Sequence, residues 1–205
     1  HFFVGSLHGL IYLRAKVKIL ITGANGFIGR HLIEYLRVHS DHELISATRL
    51  ADKQCKVNNV TLGNMALFDQ WQSLFCDVDV VIHLAALVHM PRVGDMEAYY
   101  TSNVETVRKM IEAATLAGVK RFVLLSSVKA QDFATVAKTS GNHELDLALD
   151  DPYAYTKALA ENLLFSSACD SKMDKVVIRP PLVYGPGVKA NFRRLISLAK
   201  APIPL

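Results

Sequence analysis

The segment Val17–Arg30, V-K-I-L-I-T-G-A-N-G-F-I-G-R, constrains the fold more than any other part of this chain. Its first half is a run of β-branched and leucine residues, which is typical of a buried strand. Glycines follow at Gly23, Gly26 and Gly29, and an amphipathic helical pattern begins at Phe27. A strand, a glycine turn and a helix in this order open a dinucleotide-binding βαβ unit.

The three glycines have distinct physical roles, although their spacing is GxxGxxG rather than GxGxxG. Gly23 allows a tight turn, Gly26 lets backbone amides approach a pyrophosphate, and Gly29 lets the helix pack closely on the strand. The free N–H groups and the dipole at the start of the helix then favour phosphate. The same spacing could form a purely structural turn, but the flanking strand and helix favour nucleotide binding. The predicted contacts are Gly23, Asn25, Gly26, Phe27, Ile28 and Gly29.

Strand-like and helix-like patterns alternate along the rest of the chain. Further strands are predicted at His42–Thr48, Val57–Leu62, Asp79–Leu84, Arg121–Ser126 and Lys175–Ile178, and helices at Asp95–Ala117, from Pro152 onward and at Asn191–Lys200. Gln131–Asp151 has weak periodicity and is predicted to be a long loop. This alternation predicts an α/β fold with a doubly wound parallel sheet. At 205 residues the chain suits one domain, residues 16–205, after an N-terminal extension of residues 1–15.

Composition narrows the function classes. The net charge of +4 comes from scattered basic residues without interleaved aromatics, so no nucleic-acid partner is predicted. The apolar N-terminal segment is too short to span a membrane and lacks signal-peptide features, so we expect no membrane association. The three cysteines, Cys55, Cys76 and Cys169, are far apart and in no ligand spacing. We therefore expect a reducing, cytoplasmic location and no metal site.

Several residues at predicted strand ends suit a nicotinamide dinucleotide, NAD or NADP. The strand that ends at Thr48 should face the adenosine ribose, and it is followed by Arg49 where an acidic residue would favour NAD. Arg49 could pair with a 2′-phosphate and so favours NADP slightly, although it could equally be a solvated loop residue. The other predicted cofactor contacts are Asn64, Met65, Leu84, Ala85 and Ala86. His83 is interpreted as a hydrogen-bonded core histidine rather than a ligand.

Three residues carry the predicted chemistry: Ser127, Tyr153 and Lys157. Tyr153 and Lys157 are four residues apart on a predicted helix, so their side chains share one face. An ammonium group near a phenol lowers the pKa of the phenol and makes it a credible acid or base for a sugar hydroxyl or ketone. Ser127, at the end of a strand, could hydrogen-bond the same substrate oxygen. An isolated pair of this kind would be a surface pair, but the upstream nucleotide turn favours a catalytic one.

Five ordered motifs, T-G-A-N-G-F-I-G, D-V-V-I-H-L-A-A, L-S-S, Y-x-x-x-K and R-P-P-L-V-Y-G-P-G, resemble the extended short-chain dehydrogenase/reductase family. The chain is most similar there to UDP-glucose 4-epimerase-like enzymes, including nucleotide-sugar 4-ketoreductases. The resemblance runs from Lys16 to Leu205. It implies a Rossmann fold, a UDP-sugar substrate and a possible homodimer through the helices Asp95–Ala117 and Pro152–Ala168.

The resemblance also implies roles for single residues. Tyr153 matches the catalytic tyrosine, Lys157 the lysine that also holds the nicotinamide ribose, and Ser127 the catalytic serine. Pro180 matches a residue near the nicotinamide, and Asn191 an asparagine that contacts the substrate diphosphate. Asn103 matches a helix asparagine of the family, and the resemblance implies a structural or water-organising role for it.

The sequence departs from the family pattern at three places. Gly63-Asn64-Met65 replaces a common Gly-Asp-hydrophobic triplet near the adenine, and Asn103–Val107 lacks the usual glycine. Family members also commonly continue beyond the point where this sequence stops, so we expect the C-terminal substrate subdomain to be largely absent.

The predicted function is an NAD(P)-dependent nucleotide-sugar epimerase that transfers hydride at sugar C4 with Tyr153 as acid and base. One alternative is a UDP-sugar 4-ketoreductase that uses NADPH. The other is a non-catalytic or truncated NAD(P)-binding protein.

Overall fold

The computed structural model describes residues 16–52, 55–88, 96–133, 151–166 and 172–187. The strands are β1 (Lys18–Thr22), β2 (Glu43–Thr48), β3 (Asn58–Thr61), β4 (Val80–His83), β5 (Arg121–Leu125) and β6 (Asp174–Ile178). The helices are α1 (Phe27–His39), α2 (Trp71–Leu74), α3 (Met96–Tyr100), α4 (Thr106–Leu116) and α5 (Pro152–Ser166). A π-helical turn, Thr101–Glu105, joins α3 to α4, and a 3₁₀ helix, Val128–Phe133, follows β5.

The strands form one parallel sheet in the order β3-β2-β1-β4-β5-β6. The chain winds outward from β1 through β2 to β3, and then crosses back to β4 and winds outward the other way. The reversal lies between β1 and β4, where open α/β sheets leave a crevice at the carboxyl ends of the strands. This arrangement confirms the doubly wound fold predicted from the sequence.

Alternating residues of the strands supply two cores, one on each face of the sheet. Leu20 of β1 and Phe122 of β5 are fully buried in the larger core, with residues of α2, α4 and α5. Ile19 and Ile21 of β1 point to the opposite face and pack with Ile33 of α1. The central strand β1 is therefore apolar on both sides, as a buried parallel strand requires.

Three local features differ from the sequence expectation. The helix predicted over Asp95–Ala117 is interrupted by the π turn, the short helix α2 has no counterpart in the predicted elements, and the predicted loop Gln131–Asp151 begins inside the 3₁₀ helix. The rest of that loop, the N-terminal extension and the predicted helix Asn191–Lys200 lie outside the described residues. The domain boundaries stay a prediction. Among the described helices, none is long and apolar enough to cross a membrane.

The close packing of α1 on β1 generates a first prediction. A Cβ on Gly29 would lie 2.4 Å from the Gly23 carbonyl oxygen and 2.7 Å from Ala24 Cα. Alanine normally stabilises a helix interior by about 1 kcal/mol relative to glycine. We expect Gly29→Ala to lower the free energy of unfolding by more than about 1 kcal/mol instead, because the helix must move away from the turn. Urea denaturation measures the change.

Gly26→Ala is the control, because its Cβ would lie 3.0 Å from the same carbonyl oxygen, which is farther than the Cβ at position 29. Its loss of stability should be smaller. A Gly29→Ala variant as stable as the wild type would show that this contact does not set the distance between α1 and β1.

Candidate functional site

The glycine turn holds two other backbone segments in close contact. Gly23 has a φ of +66°, and a Cβ there would lie 2.7 Å from the backbone nitrogen of Ala85. Only glycine combines this left-handed conformation with so close a neighbour. The turn at the end of β1 therefore lies directly against the chain that leaves β4, and it marks one wall of the crevice between these strands.

The N-terminus of α1 faces the crevice without a side-chain cap. Gly26 is the N-cap residue, its N–H donates to the Gly23 carbonyl oxygen at 2.9 Å, and no acidic residue occupies the first turn of α1. Unpaired amides at the start of a thirteen-residue helix attract an anion through their N–H groups and the helix dipole. Both features, the open amides and the glycines at the two ends of the turn, fit a dinucleotide pyrophosphate.

A cleft of about 720 Å³ opens at the carboxyl ends of the strands. The predicted cofactor contacts that line it are Gly23, Asn25, Gly26, Phe27, Ile28, Gly29, Arg49, Asn64, Met65, Leu84, Ala85, Ala86, Tyr153 and Pro180, and Ser127 lines it as well. Of the remaining predicted site residues, Lys157 is buried behind this lining and Asn191 lies outside the described residues. The roles of all these residues stay predictions.

Several lining residues were not assigned from the sequence. They are Ala47, Leu50, Gly63, Leu87, Val88, Ser102, Leu125, Ser126 and Val183. Most of them are small or apolar residues close in sequence to a predicted contact, so their residue type does not indicate a binding role. The adjacency of Ser126 to Ser127 was visible, but only the fold shows that both reach the cleft.

The sequence at the start of α5 fixes where Tyr153 lies. Asp151 Oδ1 accepts a hydrogen bond from the Ala154 N–H at 3.0 Å, and Pro152 occupies the first helical position. An aspartate cap followed by proline is a strong helix start. Tyr153 is thereby placed in the first turn of α5, where its phenol lies close enough to Ser127, just after β5, for the serine to affect its pKa. The structure therefore brings together two of the three predicted catalytic residues.

The pKa of Tyr153 differs in direction from the sequence expectation. Burial raises the pKa of the phenol, the carboxylate of Asp151 raises it further, and the neighbouring hydroxyl of Ser127 partly offsets both effects. The predicted lowering of the pKa of Tyr153 by Lys157 was therefore wrong. Helical spacing places the two side chains on one face, but it gives neither the depth of burial of the phenol nor the carboxylate beside it.

Lys157 lies deep inside the protein, with 1% of its surface exposed. Burial lowers the pKa of its ammonium group to about 8, and the nearby carboxylate of Glu161 acts in the opposite direction. The group therefore carries its charge near neutral pH at a high desolvation cost. A lysine with a pKa in this range is typical of functional sites.

His83 at the end of β4 is a buried core histidine, as predicted. Its Nδ1 and the Thr22 hydroxyl are 2.7 Å apart, which joins β4 to the neighbouring strand β1. Burial lowers the pKa of His83 to about 3, and the charge on Lys157 contributes. A neutral imidazole therefore lies between the sheet and the cleft over the whole physiological pH range.

Asn103 has the structural role that the family resemblance implies. Its Oδ1 accepts from the Leu87 N–H at 2.8 Å, and its Nδ2 donates to the Leu87 carbonyl at 3.0 Å. The same Nδ2 lies 3.2 Å from the Thr156 hydroxyl on α5. The π turn that contains Asn103 thus ties the cleft-lining segment after β4 to the helix that carries Tyr153.

Arg49 is exposed where β2 ends, at the rim of the cleft. This position leaves its guanidinium accessible to a ligand without showing what it binds. Among the described residues, no group of three or more histidine, cysteine or acidic side chains could hold a metal ion.

Comparisons with known proteins agree with this geometry. The model of the "NAD dependent epimerase/dehydratase family" matches residues 19–201. The chain belongs to this family. It is 36% identical over 197 residues to a UDP-glucose 4-epimerase of Vibrio cholerae, covering 92% of this chain and 58% of that protein. The fold and the family resemblance to extended short-chain dehydrogenases/reductases predicted from the sequence are therefore confirmed.

Solved structures of family members are also similar. "MoeE5 in complex with UDP-glucose and NAD" has a TM-score of 0.66 and 27% identity, covering 84% of this chain and 56% of that one. A Bacillus cereus UDP-glucuronic acid 4-epimerase in complex with UDP-glucuronic acid and NAD has a TM-score of 0.68 and 25% identity, covering 89% and 63%. This chain spans little more than half the length of these relatives.

The buried histidine predicts a pH dependence of stability. The unfolded chain protonates His83 near pH 6.5, whereas the folded protein keeps it neutral down to about pH 3. Stability is therefore lost as the pH falls from 6.5 towards 3, with a contribution that approaches about 1.4 kcal/mol per pH unit. In a His83→Asn variant, the slope of the free energy of unfolding between about pH 6 and pH 4 should be smaller by this amount. Urea denaturation at several pH values measures it.

Thr22→Val is the matched control, because it removes the hydrogen bond of His83 and keeps the imidazole. It should lower the free energy of unfolding by about 1–3 kcal/mol and retain the wild-type slope. Equal slopes in the wild type and His83→Asn would contradict the burial of a neutral imidazole.

Proposed function

We propose that this protein catalyses NAD(P)-dependent epimerisation at C4 of a UDP-sugar. The observation that carries the proposal is that Ser127 and Tyr153 are neighbours and line the same cleft as a glycine turn that fits a dinucleotide. The similarity to a UDP-glucose 4-epimerase and to structures with UDP-sugars and NAD supports the choice of substrate and cofactor.

The cofactor would lie along the carboxyl edge of the sheet. Gly23, Gly26 and the amides of α1 would hold the pyrophosphate, and Ala85 and Ala86 would lie along the dinucleotide without side chains that obstruct it. When bound there, a nicotinamide supplies reversible hydride exchange with a sugar carbon. The family resemblance assigns Lys157 to the nicotinamide ribose, and its ammonium group is buried beside the cleft, near His83, which lines it.

Tyr153 would move the proton in the reaction. Its phenolate oxygen would accept the proton of the C4 hydroxyl and return it to the ketone oxygen after the sugar has turned over. Ser127 would donate a hydrogen bond to the same sugar oxygen and keep it next to the phenol. Because the pKa of Tyr153 is raised, a positive charge beside the phenol, such as that of an oxidised nicotinamide, would favour its phenolate form.

A second candidate, a UDP-sugar 4-ketoreductase that uses NADPH, has one observation in its favour. Arg49 lies at the rim of the cleft where β2 ends, without an acidic neighbour in the sequence to favour NAD. A reductase would use only half of the epimerase cycle, with an exchangeable cofactor. The predicted homodimer and cytoplasmic location stay predictions.

The Tyr153→Phe variant tests the proposed chemistry. It removes only the phenolic oxygen, so conversion of UDP-glucose to UDP-galactose in the presence of NAD should fall by about 10²–10⁴-fold. The affinity for NAD should change little, because the glycine turn is intact. Product analysis of the nucleotide sugars and calorimetric titration with NAD measure the two effects.

Tyr35→Phe is the matched control, since Tyr35 is 60% exposed on α1 and stacks only on its helix neighbour His39 among the described rings. It should behave as the wild type. A wild-type protein that binds NAD but turns over no UDP-sugar would contradict the epimerase proposal and favour a cofactor-binding role.

Arg49→Ala tests the cofactor preference. If Arg49 pairs with a 2′-phosphate, the variant should bind NADP about 10–100-fold more weakly and bind NAD with unchanged affinity. Arg37→Ala, which removes an exposed guanidinium paired with Glu34 in the last turn of α1, should affect neither cofactor. Equal losses for NAD and NADP in Arg49→Ala would contradict a role in phosphate selection.

A further inference from the structure

Three charged side chains of alternating sign link α5 to the end of β6. Lys157 and Glu161 are one helical turn apart on α5, on the face that also carries Tyr153. Arg179 immediately follows β6 and pairs with Glu161. Neither Glu161 nor Arg179 lines the cleft, so the mechanism proposed above leaves both without a role.

The contact between Arg179 and Glu161 is a fork of several hydrogen bonds. Arg179 Nε donates to Glu161 Oε1 at 3.0 Å and to Oε2 at 3.1 Å, and a terminal guanidinium nitrogen also donates to Oε2. The side chain of Glu161 is 5% exposed, whereas that of Arg179 is 38% exposed. The carboxylate is therefore inside the protein, and the guanidinium closes the site from the surface side.

Because Lys157 is buried, the protonation of its amine depends on the charge of the Glu161 carboxylate. An ammonium ion without a partner is strongly disfavoured in the protein interior. Within the described part of the chain, Lys157 interacts with the neutral imidazole of His83 from β4 and with Glu161 from its own helix, and Arg179 lies beyond Glu161. Tyr153 precedes Lys157 by one turn on the same helix face. Of these, the carboxylate of Glu161 is the anion that favours the charged form of Lys157.

The same ion pair also anchors the segment beyond β6. The Ile178 carbonyl accepts from the Ser126 N–H at 2.7 Å, and the Pro180 carbonyl accepts from the Val128 N–H at 3.2 Å. The two bonds join the residues before and after Ser127, at the end of β5, to the residues before and after Arg179, at the end of β6. A clamp between Arg179 and α5 therefore fixes Tyr153 relative to Ser127.

We propose that Glu161, held by Arg179, is a positioning residue that keeps Lys157 as an ammonium ion and fixes α5 against the ends of β5 and β6. The inference deepens the proposed function and rests on it for its catalytic consequence, because Lys157 is the residue assigned there to the nicotinamide ribose. The electrostatic part applies to the protein alone.

The test is an NMR titration of the lysine side chains in the whole chain, without substrate. Lysine labelled with ¹³C at Cε reports the protonation of each amine, and the Lys157→Arg variant identifies the resonance of Lys157. The wild-type midpoint should lie at about pH 8. In Glu161→Gln it should fall by about one pH unit or more, because the carboxylate that favours the ammonium form is gone.

Three further variants separate charge from structure. Glu161→Asp retains the carboxylate and should stay much closer to the wild-type midpoint than Glu161→Gln. The double variant Glu161→Gln with Arg179→Gln removes both charges of the ion pair, so it leaves no unpaired guanidinium at this position. The midpoint of Lys157 should again be lower than in the wild type. Glu112→Gln removes an exposed carboxylate that pairs with Arg108 on α4, and should leave Lys157 unchanged.

A purely structural role for Glu161 would not move the Lys157 midpoint. The inference is overturned if the neutral variants titrate as the wild type does, or if Glu161→Asp lowers the midpoint as much as Glu161→Gln. If the midpoints shift as expected but the protein turns over no UDP-sugar, the proposed function fails and the charge relation stands. If turnover depends on Tyr153 but the midpoints do not shift, the proposed function stands and the inference about Glu161 fails.

Discussion

The structure depends on the close approach of three backbone segments at the end of β1. Gly23 turns the chain against Ala85, and Gly29 brings α1 against Gly23 and Ala24. Side chains at these glycines would push α1 and the β4 end apart and fill the space between them. The crevice where the strand order reverses thus exists because the residues at its centre have no side chains. The proposed dinucleotide binding would follow from this constraint rather than from an added binding element.

The chemical part of the site depends on the periodicity of α5. Tyr153, Lys157 and Glu161 recur every fourth residue, so one helix face delivers a phenol, an ammonium and a carboxylate in order along its axis. The Asp151 cap fixes the first of them at the cleft, and the pair of Glu161 with Arg179 fixes the last against β6. In the inference proposed above, the carboxylate of Glu161 that fixes the end of this helix face would also stabilise the charge of Lys157.

The sequence predicted the fold well, because buried parallel strands and glycine turns leave strong local signals. The run Val17–Ile21 and the spacing of Tyr153 and Lys157 needed no tertiary information. The π turn at Thr101–Glu105 was not predicted, because one extra residue in a turn hardly changes the apolar pattern of a long helix. The direction of the Tyr153 pKa was missed because it depends on burial and on Asp151, which only the folded chain brings together.

Pairing between distant segments was the other feature that the sequence could not supply. Glu161 was visible at helical spacing from Lys157, but its contact with Arg179, eighteen residues away, depends on the pairing of β6 with β5. Likewise, the Thr22 and His83 pair requires β1 and β4 to be neighbours in the sheet, and these strands are separated by two others in sequence. The residue types at these positions do not specify their partners, which depend on the order of the strands in the sheet.

A crystal structure of the protein grown with NAD would test the central claim most directly. The account predicts the pyrophosphate against Gly26 and the first amides of α1, with the nicotinamide ring at the end of the cleft that Ser127 and Tyr153 line. A dinucleotide bound elsewhere, or one in this cleft with its nicotinamide directed away from Tyr153, would contradict it.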